Sequence, residues 1–201
     1  MGKKARILLG VLAGLLIFTF VVLYLYTRCS LEIAYANVQI ALSSFETTVY
    51  SLREAVHQAY LQARRLQIEG DSEGDYIEDH DRFISLSSWF LFGGGMFEPA
   101  LEQGDQYARI IFAAEKFCTD LERVLKNSKA FSEFQELIVR IKEELKEGRR
   151  KRYAYMTYFF QLTLKNDSLL VRIFKFVLPK KYFGEFPEKL LNEKLWMYHP
   201  L

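Results

Sequence analysis

The chain has 201 residues, half of them hydrophobic and 26% charged, enough for one packed domain plus an appendage but too charged for a multi-span membrane protein and too apolar for a disordered one. Its formal charge of +2 conceals a split: Lys3, Lys4, Arg6 and Arg28 precede the first acid, which leaves 23 basic against 25 acidic side chains beyond them. That near-neutral remainder excludes the basic excess of a nucleic-acid binder, and two cysteines, Cys29 and Cys118, are too few for a zinc site or a disulfide framework.

The first predicted element is a membrane span. From Ile7 to Tyr26 the sequence is apolar and uncharged, interrupted only by Gly10, Gly14 and Thr19. As a helix rising about 1.5 Å per residue, this run crosses a hydrocarbon core of roughly 30 Å, and a helix satisfies every backbone polar group internally. Tyr24 and Tyr26 stand near its end, where amphipathic rings favour the interface. A cleaved signal peptide is the competing reading. The length of the run and the Tyr26, Thr27 and Arg28 that follow it argue against a cleavage site, and Arg28 before Cys29 argues against a lipoprotein. Arg6 stands where a myristoylation signal needs Ser or Thr. The basic residues before the span predict a cytoplasmic N-terminus and an extracytoplasmic body. Gly10 and Gly14 have the spacing of a helix-dimer motif, so a homo-oligomer is an alternative to a monomer. Cys29 and Cys118 read as unpaired thiols, one disulfide being the alternative.

Beyond the span, Val38, Leu42, Phe45, Val49, Leu52, Val56, Ala59, Ala63 and Leu66 recur at steps of four and three. This is one continuous apolar stripe of a long helix in a bundle or coiled coil. No Pro or Gly lies between Leu15 and Glu69, so the membrane helix is free to run straight into it. Residues 69–104 break the pattern with Gly70, Gly74, the run Gly93, Gly94 and Gly95, Pro99 and Gly104, and with an acidic patch around His80. Within it Phe83, Leu86, Trp89 and Phe90 have the spacing of a short amphipathic helix, in a stretch that is either a structured crossover or a mobile lobe. Helical spacing resumes through Tyr107, Ile111, Ala114, Cys118, Leu121 and Leu125, ending near Asn127. Ser128 is the expected cap of a third long helix. Its stripe runs through Phe131, Phe134, Ile138, Ile141, Leu145, Tyr155, Phe159 and Leu162, broken at Gly148 and Arg152. Asn166, Asp167 and Ser168 offer a stop and a new N-cap. A short apolar helix follows, with Leu169, Leu170, Ile173, Phe174 and Val177, closed by Pro179, and then an aromatic tail to Leu201.

These segments resemble a known family. Leu125, Lys126, Asn127 and Phe131, followed by Phe134, Gln135, Glu136 and Leu137, are similar to the helix opening of the LemA proteins. Leu169, Leu170, Val171, Arg172, Ile173, Phe174, Lys175 and Phe176, then Tyr182 and Phe183, are similar to that family's closing signature. Ala34, Tyr35, Ala36, Asn37, Val38, Gln39, Ile40 and Leu42 resemble its opening one, and Arg149, Arg150 and Tyr158 fall in its arginine- and tyrosine-rich stretch. The likeness covers roughly residues 31–56 and 125–188, in a divergent form that lacks the family's prolines. It implies a bacterial membrane-anchored, long antiparallel four- or five-helix bundle without an agreed enzymatic activity.

Candidate chemistry is sparse. Glu78, Asp79, His80 and Asp81 are the densest set of metal-ligand types, expected as a solvated acidic loop. Glu54 and His57 match the Glu-x-x-His of a di-iron bundle once, without a second copy, and His199 lies in the tail. Gly93 to Gly95 lack the Lys and Ser or Thr of a phosphate loop. The neighbouring Trp89 to Phe92, Met96 and Phe97 are expected to be buried, lipid contact being the alternative. Arg149, Arg150, Lys151 and Arg152 beside Tyr153, Tyr155 and Tyr158 mimic a stacking nucleic-acid surface, but Glu143, Glu144 and Glu147 nearby point to a solvated, ion-paired helix face. No catalytic, cofactor-binding or metal-ligating residue is nominated.

The expectation is therefore an all-α chain. Residues 1–28 form a transmembrane anchor in a bacterial plasma membrane. Residues 29–201 form a LemA-like bundle with a Gly-rich insertion at about 69–104. The expected partners are the bilayer through the span and one or more proteins, with no nucleic acid, small-molecule substrate or cofactor. A non-enzymatic scaffold or adaptor is the first functional reading. A membrane-linked sensor is the second, and a carboxylate-metal enzyme built on Glu54, His57 and the acidic patch is the third.

Overall fold

A computed structural model describes residues 3–68, 75–92, 101–126 and 130–183, with side chains from Ile7 and, in the third helix, from Gln106. It is all-α: five helices, with no strand among the described residues. Helix α1 runs from Lys3 to Arg65 without a break, 63 residues, or about 95 Å at the α-helical rise. Its first part is bare, and its apolar stripe begins to be buried at Leu31, 1% exposed, continuing through Val38, Phe45, Leu52, Val56 and Ala63. Leu66, expected in that stripe, is 42% exposed, because the helix has ended. Gln67 takes a left-handed φ of 52°. The Ile68 and Gln67 amides donate back to the Ala63 and Arg64 carbonyls, the paired bonds of a Schellman C-cap.

Helices α2 (Tyr76–Phe92), α3 (Leu101–Leu125) and α4 (Phe131–Asn166) complete an antiparallel bundle. The short amphipathic helix expected within 69–104 is α2, 17 residues long, and its Tyr76, Phe83 and Phe90 are buried in the bundle. Gly93, Gly94, Gly95, Met96 and Phe97 lie outside the described residues, as do Ser128, His199 and the tail from 184. The helix expected to be capped by Ser128 starts behind Ala130, whose side chain makes no cap bond. The main seams are α1 against α4, α2 against α3 and α3 against α4, while α1 touches α2 along a thinner one. Polar pairs fix the α1–α4 register: Lys165 Nζ to Ser30 Oγ at 3.0 Å, Lys151 Nζ to Thr48 Oγ1 at 2.8 Å, and Gln62 Nε2 to the Glu133 carbonyl at 3.2 Å.

The middle of the core is aromatic. Phe45 stacks on Tyr107 at 4.1 Å between centroids, Phe90 meets Tyr107 edge-on at 4.8 Å, and Tyr155 meets it at 5.4 Å, so all four helices meet on one ring. Gly148, read in the sequence as a break, is buried in the same stripe. A Cβ built on it would lie 3.6 Å from Ile111 Cδ1 and 3.7 Å from Thr48 Cγ2. Helix α5 (Leu169–Phe174) follows its expected cap, the Ser168 side chain accepting from the Val171 amide at 3.4 Å. It ends at Phe174, and a 3-10 turn at Lys180–Tyr182 closes the described chain against the base of α1.

Candidate functional site

Opposite the bare end of α1, the bundle holds a polar cluster inside its apolar walls. His57 on α1 is exposed, one helical turn after Glu54, and His80 on α2 is buried at 5% exposure. His57 Nδ1 lies 3.2 Å from His80 Nε2 and the ring centroids are 5.5 Å apart, so the two nitrogens face each other nearly head-on. His80 Nδ1 lies 3.1 Å from the Asp81 carboxylate. That partner holds a proton on Nδ1 and leaves His80 Nε2 as acceptor for a proton on His57 Nδ1. Tyr60 lies flat on the His80 ring at 3.8 Å, with Phe117 of α3 beyond it at 6.1 Å. Burial, chiefly, pulls the His80 pKa below its ordinary value, and the nearby His57 adds to this. The Asp81 hydrogen bond opposes it.

One residue earlier, Asp79 turns into the α2–α3 seam. Its side chain is 3% exposed, and Lys116 Nζ reaches it at 2.6 Å, an ion pair that raises the lysine pKa. Asp120 sits beside it, with Arg123 Nη2 at 3.0 Å. Burial raises the Asp120 pKa, and a hydrogen bond to Asp79 raises it further. Oδ2 of Asp79 and Oδ2 of Asp120 are both buried with no donor as two carboxylates. One proton held on Asp120 and donated to Asp79 satisfies both, the usual answer of two carboxyls forced together.

This cluster corrects the reading of the acidic patch as a solvated loop. Glu78 and Asp81 are exposed, but Asp79 and His80 are core residues on the first two turns of α2. Lys116, Asp120 and Tyr60 completed the site without any motif; the one signal was a carboxylate at position 120 between the apolar Phe117 and Leu121 of α3. The structure does bring together His57 and His80, which spacing alone left unconnected. The 3.2 Å between the two nitrogens is a hydrogen-bond separation, and two imidazoles alone fall short of the three or four protein ligands of a zinc site. As placed, the two rings share a hydrogen bond. Among the described residues, no three His, Cys, Asp or Glu side chains converge as a ligand set. Glu54 turns to Arg140 of α4 at 3.5 Å instead.

The other candidates fall elsewhere. Arg149 pairs with Glu115 of α3 at 2.5 Å, Lys151 with Glu147 at 3.8 Å and Arg150 with Glu147 at 3.5 Å, and Tyr155 is in the core, so the aromatic–cationic face is an ion-paired helix surface. Trp89 and Phe92, expected in the core, are 56% and 65% exposed, while Phe90 is buried. Phe92 lies under the Arg53 guanidinium at 5.4 Å. Cys29 is exposed, Cys118 is buried, and both are free. Two open surface grooves, of about 500 Å³ between α1 and α4 and about 370 Å³ between α3 and α4, are lined by neither the histidines nor the aspartates.

The arrangement the cluster supports is electrostatic and hydrogen-bonded locking of α2 onto its neighbours. Set against protein-family models, curated proteins and solved structures, the chain matches none of them.

Proposed function

We propose that this chain is a single-pass membrane protein, a divergent LemA-like scaffold of the bacterial plasma membrane, with a cytoplasmic N-terminus and a helical body that engages protein partners outside. One observation carries the reading. The apolar start of α1 has a mean hydropathy of 2.7 over its best 18 residues, and none of that window is buried by the rest of the chain. Each large apolar side chain kept in water forgoes about 1.5–3 kcal/mol. Over a dozen or so of them this exceeds the roughly 5–15 kcal/mol that hold an ordinary domain together. Lipid is the solvent that removes the conflict. Because α1 enters the bundle unbroken, the polar cluster stands well clear of the bilayer: His57 is 31 residues beyond Tyr26, about 46 Å along the helix. A long stalk with ion-paired faces suits protein contacts better than turnover.

Side-specific labelling tests this in cells. A single cysteine replaces the exposed Gln135 on α4, with Cys29→Ser and Cys118→Ala removing the native thiols. An impermeant maleimide should label intact cells, and the protein should stay in the membrane after alkaline carbonate extraction. Extraction into the soluble fraction would end the membrane reading, and labelling only after lysis would turn the body inward. A photo-crosslinker at the same site should give one discrete heavier adduct; a chain that never cross-links to protein from any of the four helix faces is no scaffold. The sensor reading has its own support, the unbroken α1 joined to a hydrogen-bonded His pair, and would be favoured if adducts changed with external pH.

A further inference from the structure

The segment after α4 returns to the membrane helix. Phe174 of α5 is 1% exposed, and the rings that cover it belong to the span: Phe20 at 4.8 Å and Tyr24 at 5.6 Å. Phe20 lies six residues inside the end of the apolar run at Tyr26, about 9 Å along the helix. That is the depth at which interfacial helices rest, about 5–10 Å into the headgroup and acyl boundary. The side of this segment turned away from α1 is apolar and bare: Leu169 is 74% exposed, Ile173 53%, Val177 62% and Phe176 97%. Arg172, Lys175 and Lys180 are exposed among them, and no acid occurs from Leu169 to Phe183. The segment is also held in place. Asn166 Nδ2 donates to the Tyr182 carbonyl at 2.7 Å, Lys181 Nζ reaches Glu32 at 2.8 Å, the Tyr182 hydroxyl donates to Glu32, and Tyr35 packs edge-on to the Tyr182 ring at 5.9 Å.

We infer that residues 169–180 form a fixed interfacial wedge, which sinks Leu169, Ile173, Phe176 and Val177 into the leaflet beside the span and sets Arg172, Lys175 and Lys180 against anionic lipid headgroups. The argument rests on the reading of α1 as a span. From there it follows from position: Phe174 is packed on rings that lipid would otherwise surround, so its neighbours on the same short segment lie in the same layer. Long basic side chains reach from that depth to the headgroups while their stems stay apolar. A protein docking on the same face would have to do so within the bilayer. The wedge fixes the body's distance and tilt relative to the membrane, which a lone helix does not.

Spin labels on the full chain, in vesicles of phosphatidylcholine with a phosphatidylglycerol fraction, test this. Single cysteines are placed by Leu16→Cys, Phe176→Cys and Leu61→Cys, again with Cys29→Ser and Cys118→Ala. Phe176→Cys should resemble Leu16→Cys, with collisions with oxygen several-fold favoured over those with a water-soluble nickel chelate. Leu61→Cys, exposed near the far end of α1, should show the reverse. If Phe176→Cys reads like Leu61→Cys while Leu16→Cys stays in lipid, the wedge is overturned and the span stands. If Leu16→Cys also reads as water, the span reading itself fails. Shielding of Phe176→Cys from both reagents, with spin–spin broadening lost on dilution with unlabelled chain, would show a second copy on this face and overturn the lipid assignment. Adding Arg172→Glu and Lys180→Glu should move the Phe176→Cys label toward the chelate in anionic vesicles; an unmoved label would remove the headgroup contact.

Discussion

Gly148 offers a test in which sign, not size, decides. It is buried in the middle of α4, where α1 and α3 both approach, a setting in which glycine usually marks a contact too close for a side chain. The distances here do not require glycine. The nearest atoms to an added Cβ are Ile111 Cδ1 at 3.6 Å, Ile111 Cγ1 at 3.7 Å and Thr48 Cγ2 at 3.7 Å, all ordinary van der Waals separations. Gly148→Ala should therefore gain about 0.8–1.0 kcal/mol of helix propensity and up to about 0.8 kcal/mol from one more buried methyl, or about 1–2 kcal/mol together. Gly148→Leu sends three further carbons into Ile111 and Thr48, and overpacking of that kind costs about 1–3 kcal/mol. The assay is urea unfolding of the full chain in nanodiscs, followed by circular dichroism, with the midpoint read at unchanged slope. The alanine variant should unfold at higher urea and the leucine variant at lower. An alanine variant destabilised by about 1 kcal/mol or more would mean that the three helices meet more tightly than 3.6 Å, and the register argued from Lys151 and Thr48 would need revision.

Other expectations follow from the polar cluster and the core. Burial lowers the His80 pKa, so below about pH 6.5 the unfolded chain binds a proton that the folded one resists. The stability contributed by neutral His80 is complete above that pH and is lost as pH falls through the window. The raised Asp120 pKa acts with the opposite sign, because the folded chain keeps that proton to higher pH than the unfolded one. His80→Phe should flatten the slope of the unfolding midpoint between pH 7 and 5, and an unchanged slope would show that another group titrates there. Lys116→Met strands the buried Asp79 and should cost about 2 kcal/mol at neutral pH. Lys142→Met breaks a slightly longer pair, 2.8 Å against 2.6 Å, with the more exposed Glu122 and should cost less than about 1 kcal/mol; equal costs would refute the electrostatic role given to the buried Asp79. The Tyr107 hydroxyl is buried without a partner, and burial raises its pKa, so Tyr107→Phe should leave the urea midpoint unchanged or higher. Burial pushes the Cys118 thiol up to about 11, so iodoacetamide at pH 8 should modify Cys29 in the folded chain and reach Cys118 only on unfolding, as peptide mass mapping would reveal.

Features set by near neighbours in the chain were legible in the sequence, and features set by distant residues were not. Local order was legible because it is periodic: the apolar run at the N-terminus, the stripe from Val38 to Ala63 and the Ser168 cap each depend on neighbours within a turn or two. The end of α1 was not. Leu66 fits the period, but Gln67 enters the left-handed region and the helix stops without the glycine that would have announced it. Glu78, Asp79, His80 and Asp81 show the limit most clearly. Composition alone makes four consecutive polar residues a surface loop, yet two of them are buried. Lys116, Asp120, His57 and Tyr60 supply the charge and hydrogen bonding that a buried acid and imidazole need, and those residues lie 20 to 41 positions away in the chain. Gly148 failed for the same reason: its role is set by Ile111 and Thr48, on two other helices.

By itself, then, the sequence determined that the chain is helical, that α1 is long, and that its first part is too apolar for water, since propensity, period and hydropathy are properties of a segment. Only the tertiary structure decided that α2 belongs to the bundle, that His57 faces His80, and that Phe174 closes on Phe20 and Tyr24. These depend on which faces of distant helices meet, and that is set by the packing of the whole core.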